Sequence, residues 1–386
     1  MSKNRSITRR SALYFVLATL ASINVAVIAK PKQDNLGSPK KDFRVVGKRS
    51  LKQRAASKGL IYGVAGTYLD ISPDKKLLAA IAQEGGMLVA DWELKWAVGD
   101  KPLRPSPTSF DFTRADWMVK FARTHGMLLR GHTLVWHESL PDWFKEKANS
   151  QNAKQFLTQH IERVVGHYAG QMHSWDVVNE AIDIASGHPD SLRKTPWLEL
   201  LGPDYIEMAF RTAAKADPKA LLVYNDYGFE YDTPQDEAKR VAVLKLIKRL
   251  KSRGVPIHAL GIQAHLDAAE TRFSPKKLQK FLRDVANLGL KILITELDVN
   301  DTKLPLNFAV RDRIVAKVYD DFLSTVLSEK AVIAVVTWGL SDRHTWLSDK
   351  PRADRAAVRP LPLDANLKPK LAWSAIASAF DRAPKR

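Results

Sequence analysis

The sequence predicts an α/β protein whose main part is a single (β/α)8 TIM-barrel domain. Short apolar runs rich in β-branched residues alternate along the chain with amphipathic segments of helical spacing, a rhythm typical of parallel sheets with helical crossovers. Eight such runs occur, and a chain of 386 residues is long enough for one barrel of this kind. A doubly wound open sheet is the alternative, but it would carry a glycine-rich turn after its first strand. Gly66-Thr67-Tyr68 stands there instead.

The eight predicted strands are Leu60–Ala65, Met87–Ala90, Met127–Gly131, Ser174–Val178, Ala220–Asn225, Ala259–Gln263, Lys291–Thr295 and Ile333–Trp338. Helices are expected between them, among others at Lys75–Gln83, Phe156–Tyr168, Pro203–Lys215, Glu237–Arg253, Pro275–Asn287 and Asn307–Ser328. We expect residues 51–386 to form the barrel.

Residues 1–29 have the order of a signal peptide. Arg9 and Arg10 precede an apolar stretch from Ala12 to Ala29, which ends in small residues suited to cleavage. The adjacent arginines favour the bacterial twin-arginine route, and hence a periplasmic or extracellular protein that begins near Lys30. An uncleaved anchor is the alternative. Residues 30–50, rich in Lys, Pro and Ser, are expected to be a linker or disordered lead-in.

The composition limits the classes of function. An apolar fraction of 45% and a charged fraction of 26% are typical of a soluble globular protein. The absence of Cys excludes disulfides and thiolate metal sites, and we expect no cofactor and no metal. A net charge of +18 would suit nucleic acid, anionic membranes or acidic polysaccharides. Because the basic residues are scattered, we expect a solvated basic surface, no nucleic-acid partner, no stable membrane association after signal cleavage, and a monomer.

Polar and aromatic side chains follow most of the predicted strands. Because the carboxyl ends of parallel barrel strands meet at one rim, these residues should lie together. They are Asp91, Glu93 and Lys95; His132, Trp136 and His137; Asn179 and Glu180; Asn225, Asp226 and Tyr227; Gln263 and His265; Glu296 and Asp298; and Trp338, Asp342 and Trp346.

The residue types at this rim indicate chemistry on a glycosidic bond. Two carboxylates on different strands, Glu180 and Glu296, accompanied by indoles and amides, suit that reaction. The sequence shows no phosphate-binding loop, no serine elbow and no dense cluster of metal ligands. Taken singly, each of these residues could be a helix cap, a core residue or a solvated side chain, so the prediction rests on their joint position.

At these residues the chain resembles glycoside hydrolase family 10, the retaining endo-β-1,4-xylanases. The segments that carry the resemblance occur in the family's order over about residues 51–380. They are Arg130-Gly131-His132-Thr133-Leu134-Val135-Trp136-His137, Trp175-Asp176-Val177-Val178-Asn179-Glu180-Ala181, Tyr224-Asn225-Asp226-Tyr227, Gln263-Ala264-His265-Leu266, Ile294-Thr295-Glu296-Leu297-Asp298 and Thr337-Trp338-Gly339-Leu340-Ser341-Asp342.

The resemblance implies a role for each site residue. Glu180 matches the general acid/base, Glu296 the nucleophile, and His265 with Asp298 the pair that orients the nucleophile. Asn179 matches the residue that binds the sugar 2-OH. It also implies substrate-binding roles for Lys95, His132, Trp136, Gln263, Trp338 and Trp346. Tyr227, at the same rim, is a further candidate substrate-binding residue.

The chain departs from the family pattern beside the bond to be cleaved. Asp91 and Trp92 stand where the family usually has Glu-Asn, and Ser139 stands where it usually has Gln. These positions bind a sugar on the glycone side, so the sequence leaves open which substituted form of the substrate is preferred. Gly228 replaces a frequent Asn on the leaving-group side. The alternatives are a related barrel hydrolase acting on another β-glycan, and a polysaccharide-binding protein without catalysis.

Overall fold

The computed structural model describes Phe43, residues 45–350 and residues 352–386. The expected signal peptide and most of the expected lead-in lie outside the described residues. Phe43 is buried in the main hydrophobic core, and Val45 packs against it. Ser50 caps the first helix, where its hydroxyl accepts from the backbone N–H of Gln53. Residues that pack with the barrel therefore begin before Leu51.

A closed parallel barrel of eight strands forms the centre of the described part of the chain, which confirms the predicted fold. The strands pair in chain order, β6 bonds to β8, and β9 returns to β1 to close the barrel. Eight of the nine described strands build it: β1 Ile61–Gly66, β2 Met87–Ala90, β3 Leu128–Gly131, β4 Ser174–Asn179, β5 Leu221–Asp226, β6 Ala259–Ile262, β8 Lys291–Asn300 and β9 Val332–Thr337.

A short additional strand, β7 (His265–Asp267), was not predicted, and the predicted end of β8 at Thr295 is wrong. Strand β8 continues to Asn300, and this extension pairs in parallel with β7, with His265 opposite Asp298. The extension has no long apolar run, but Leu297 and Val299 are buried and alternate with polar residues. The pair brings two of the predicted site residues side by side above the barrel.

Helices surround the barrel between its strands. In the described part they are α1 Leu51–Ala56, α2 Tyr68–Ile71, α3 Lys75–Glu84, α4 Thr113–Thr124, α5 Asp142–Lys147, α6 Ala153–His167, α7 Pro196–Leu201, α8 Tyr205–Ala216, α9 Pro234–Ser252, α10 Pro275–Asn287, α11 Phe308–Val326 and α12 Leu371–Arg382, with 3-10 turns at Ile184–Ser186 and Trp346–Asp349. The bounds of α10 match the prediction. None of the helices that the structure describes is long and apolar enough to cross a membrane.

Two kinds of core hold the fold together. Outward-facing strand residues and the apolar faces of the helices form one large cluster. Inside the barrel lie two smaller clusters. One is formed by Ala65, Met87, Val89, Val336 and Trp338, and the other by Val223, Ala259, Leu293 and Ala334. Side chains of this kind make a barrel interior a packed solid rather than a channel, which leaves the carboxyl-terminal rim as the place for a cleft.

Candidate active site

Glu180 follows the last residue of β4 and has a left-handed backbone conformation, with φ of 56°. Its N–H donates to the carbonyl of Asn225 on the neighbouring strand (2.9 Å). Three side-chain N–H groups point at its carboxylate: Trp136 Nε1 donates to Oε2 (3.0 Å), while Asn179 Nδ2 (3.0 Å) and Gln263 Nε2 (2.9 Å) donate to Oε1. The carboxylate is thus fixed in direction while its residue stays partly exposed.

Glu296 lies within β8 and is buried, with 5% of its surface exposed. Asn225 Nδ2 donates to its Oε1 (2.7 Å), and His265 Nε2 lies 3.1 Å from its Oε2. Burial raises the pKa of Glu296, but the hydrogen bond from His265, the charges of His132 and His265, and the Asn225 amide outweigh it, and the pKa is lowered to about 2. A buried carboxylate is therefore held in its ionised form.

Two amides connect the carboxylates across the barrel mouth. Asn225 Nδ2 contacts Glu296 and also Asn179 Oδ1 (2.8 Å), and Asn179 Nδ2 in turn contacts Glu180. Thr295 Oγ1 donates to Asn225 Oδ1 (2.7 Å) and thereby fixes that amide's orientation. Each carboxylate is placed relative to the other by hydrogen bonds of 2.7–3.0 Å between side chains of the strand ends.

His265 connects Glu296 to Asp298 and Trp346. Its Nδ1 lies 2.9 Å from Asp298 Oδ1, and Trp346 Nε1 donates to Asp298 Oδ2 (2.7 Å). Burial lowers the pKa of His265, but the Asp298 carboxylate and then Glu296 raise it well above the usual range. The imidazolium can then donate through both ring nitrogens, which fixes its orientation beside Glu296.

The remaining predicted residues of the cleft contact this centre through rings and charges. His132 Nδ1 lies 2.9 Å from Asp176 Oδ2, and its ring lies edge-on to Trp338 with 5.3 Å between centroids. The Lys95 ammonium lies 5.1 Å from the Trp136 ring centroid. Arg130 bonds the other oxygen of Asp176 and so holds the partner of His132 in place. These contacts join eleven of the twelve predicted site residues into one connected network at the rim.

Tyr227 also lies at the rim, directly after β5, but it contacts the network only through a residue that was not predicted. It is 41% exposed, and Arg193, from the loop after β4, donates to its hydroxyl (2.9 Å). Arg193 and Asn225 are the main groups that sequence reasoning left out of the site. Asn225 was noted at the end of its strand, whereas Arg193 lies in a stretch with no distinctive pattern.

The positions that depart from the family pattern have their own contacts. Asp91 forms an ion pair with Lys95, with Oδ1 and Nζ 3.0 Å apart. Trp92 is 37% exposed, whereas the other tryptophans of the described residues are more enclosed. Ser139 has a positive φ of 57°, and its carbonyl accepts from the N–H of Ala97 (2.9 Å). An indole therefore stands beside the cleft where a polar amide was expected.

Within the described residues, no group of three or more His, Asp or Glu side chains is arranged to hold a metal ion. The site offers two carboxylates in different surroundings. Glu296 is held ionised, whereas Glu180 accepts hydrogen bonds from three N–H groups. Carboxylate pairs of this kind serve as nucleophile and general acid in glycoside hydrolysis.

Known proteins have similar sequences. The chain is 38% identical over 320 residues to the beta-1,4-xylanase of Dictyoglomus thermophilum, a match that covers 81% of this chain and 86% of that protein. It is 38% identical over 293 residues to endo-1,4-beta-xylanase A of Caldicellulosiruptor sp. (strain Rt8B.4), covering 71% of this chain but only 40% of that longer protein.

A solved structure has the same fold. The crystal structure of xylanase 10B from Thermotoga petrophila RKU-1 in complex with xylobiose matches with a TM-score of 0.78 and 31% identity, covering 88% of this chain and 99% of that one. The family model described as glycosyl hydrolase family 10 matches residues 50–379. This match spans the whole barrel and every site residue described above. The chain belongs to glycosyl hydrolase family 10.

Proposed function

We propose that the chain is an endo-1,4-β-xylanase that cleaves xylan with retention of configuration, Glu296 acting as nucleophile and Glu180 as general acid/base. One observation supports this assignment of roles. Glu296 is buried yet held ionised by His265 and Asn225, whereas Glu180 is the partly exposed carboxylate that accepts from the Asn179 amide. The similarity to xylanases, one of them solved in complex with xylobiose, supports xylan as the substrate.

The reaction has two displacements. In the first, the Glu296 carboxylate attacks the anomeric carbon, the bond to the leaving oxygen breaks, and Glu180 gives its proton to that oxygen. In the second, Glu180 removes a proton from water, the water oxygen attacks the same carbon, and Glu296 is released as a carboxylate. The family resemblance implies that Asn179 binds the sugar 2-OH, and the position of its amide between the two carboxylates is compatible with this role.

Endo-cleavage of xylan with retention is checked directly with the wild-type protein. We expect short β-1,4-xylo-oligosaccharides from xylan, and we expect NMR of the first product to show the β-anomer. Cellulose, mixed-linkage glucan and mannan serve as the alternative substrates. The double variant Glu180→Gln/Glu296→Gln, which keeps both side-chain volumes, is the background control.

Each alternative has its own outcome in this experiment. Faster cleavage of another β-glycan would favour the related barrel hydrolase, for which the exposed Trp92 on the glycone side gives a specific reason. Binding of xylan without product release would favour a polysaccharide-binding protein. The α-anomer as first product would contradict the retaining mechanism.

The acid limb of the pH–activity profile should depend on His265. The nucleophile has to be ionised, and its lowered pKa of about 2 keeps it so below the usual titration range of glutamate. His265→Gln removes a positive charge and a hydrogen bond to the ionised form, so the pKa of Glu296 should rise and the acid limb of kcat/KM should move to higher pH. His167→Gln, on the outer face of α6, should leave that limb in place. Identical acid limbs in wild type and His265→Gln would contradict this role for His265.

A further inference from the structure

A partly buried arginine lies behind the proposed acid/base. Arg193 Nε donates to the backbone carbonyl of Glu180 (2.8 Å), and its own N–H donates to the carbonyl of Ala181 (2.7 Å). Its side chain is 15% exposed, and the terminal nitrogens lie near Asp183 Oδ2 (3.8 Å) and the carbonyl of Ile182 (3.5 Å). A single guanidinium therefore binds the turn that follows β4 at several points.

The turn that Arg193 holds is conformationally demanding. A positive φ is uncommon for a non-glycine residue and persists only where the surroundings fix it. Both backbone polar groups of Glu180 are occupied, the N–H by Asn225 and the carbonyl by Arg193. Because the Cα–Cβ direction follows from these two bonds, Arg193 helps to set where the carboxyl group points.

The same guanidinium reaches the surface of the cleft. Its second terminal nitrogen donates to the hydroxyl of Tyr227 (2.9 Å), whose ring lies 4.2 Å from the Lys239 ammonium. Lys239 is itself held by Asp226 (2.8 Å) and by the carbonyl of Ile182 (2.7 Å). Arg193 thus forms a bridge of two hydrogen bonds between the backbone of Glu180 and an exposed aromatic ring.

We propose that Arg193 is a positioning residue that aligns the Glu180 carboxyl for proton transfer to the leaving group and connects it to Tyr227. This inference rests on the proposed function, because it takes Glu180 as the general acid/base. Proton transfer requires the donor within hydrogen-bond reach of the leaving oxygen, so a small rotation of Glu180 removes acid assistance without removing the nucleophile. The described side-chain contacts of Arg193 are with Glu180, Ile182, Asp183 and Tyr227, and none of them is with Glu296.

Several titratable groups face Glu180. They are His137 and Glu138 from the segment after β3, Arg193 and Asp183 from the loop after β4, and Asp226 with Lys239 from β5 and α9. Asp226 and Lys239 form an ion pair, and Asp183 Oδ2 lies 3.8 Å from a terminal nitrogen of the Arg193 guanidinium. Replacing Arg193 by lysine retains the positive charge but removes the bridge between the Glu180 carbonyl and Tyr227. This variant therefore distinguishes an effect of the charge from an effect of the position of Glu180.

The dependence on the leaving group tests the proposal. A dinitrophenolate leaves without a proton, whereas a phenolate of high pKa or a xylose hydroxyl needs one. We therefore expect Arg193→Met and Arg193→Lys to lower kcat/KM on phenyl β-xylobioside and xylohexaose about 10- to 100-fold. On 2,4-dinitrophenyl β-xylobioside the change should stay below about threefold, because acid assistance contributes little there.

Two further variants keep the result interpretable. Tyr227→Phe retains the ring but loses the acceptor, so it should show the same leaving-group dependence with a smaller loss. Arg211→Met is the matched control: Arg211, on the outer helix α8, also donates to backbone carbonyls of a loop (2.7 Å to Arg253) but lies away from the cleft. It should leave both substrates unaffected.

The outcomes separate the proposal from its alternatives. An equal loss on both leaving groups in the folded lysine variant, or no loss on either, would overturn the positioning role. If Arg193→Met does not fold, as judged by circular dichroism, then Arg193→Lys and Tyr227→Phe decide the question. If the wild-type protein cleaves none of the xylosides, the proposed function itself fails, a result distinct from a failed leaving-group test.

Discussion

Replacing Glu296 by alanine should abolish xylan hydrolysis, with a fall in kcat of about five orders of magnitude. The variant removes the only side chain in the proposed mechanism that forms a bond to the anomeric carbon. The cavity left beside His265 and Asn225 would admit a small anion, and both residues already stabilise negative charge there. Azide should therefore restore turnover of an activated xylobioside and give the α-xylobiosyl azide, by a single inversion.

The corresponding change at the acid/base should give the opposite stereochemistry. Glu180→Ala retains the nucleophile, so an activated substrate still forms the glycosyl-enzyme, and azide then attacks in place of water. Two inversions yield the β-xylobiosyl azide. Glu162→Ala, which removes an exposed carboxylate on the outer helix α6, should give no azide product and near-normal activity. Exchanged azide anomers would mean that the two roles are reversed, and full activity in either glutamate variant would refute the mechanism.

The fold could be predicted from the sequence because each barrel strand is a local pattern. An apolar run followed by a polar residue marks both the strand and the rim, and this is how Glu180, Asn179 and Glu296 were located without any knowledge of packing. Strand β7 escaped prediction because three residues, His265–Asp267, carry no periodicity of their own. They form a strand only because the β8 extension lies beside them.

The contacts of the site could be predicted only in part. The expected orientation of Glu296 by His265 and Asp298 came from the family resemblance, and the structure places these three side chains in contact. Arg193 follows Glu180 by thirteen residues, and only the path of the intervening loop returns its side chain to Glu180. A contact of this kind depends on tertiary structure, because no local spacing rule relates a loop arginine to a strand-end carbonyl.

A tertiary contact also limits which residue can occupy position 261 in the barrel wall. Replacement of Gly261 by alanine should impair catalysis severely. Gly261 lies in the middle of β6, and a methyl group at its Cα would overlap Asn225 Oδ1 and lie 3.0 Å from Thr295 Cγ2. Asn225 cannot move away without breaking its bonds to Glu296 and Asn179. We expect a loss in kcat of about 100-fold from the displaced amide, and a decrease of about 1–3 kcal/mol in the free energy of unfolding from overpacking.

Gly166→Ala is the matched control for this prediction. Gly166 lies in α6, and nothing is within 4 Å of the position that its Cβ would take. Alanine there should raise the free energy of unfolding by up to about 1 kcal/mol and leave kcat unchanged.

Asn225→Ala separates the two effects at Gly261, because it removes the amide without a clash and should reproduce the loss in kcat. If Gly261→Ala has the kcat and thermal stability of the wild type, then strand β6 can shift to accept the methyl group. The Asn225 amide is in that case not held as tightly as its hydrogen bonds indicate. A loss of stability with unchanged kcat would separate the packing of β6 from catalysis, and would place the support of Glu296 on His265 rather than on the amide network.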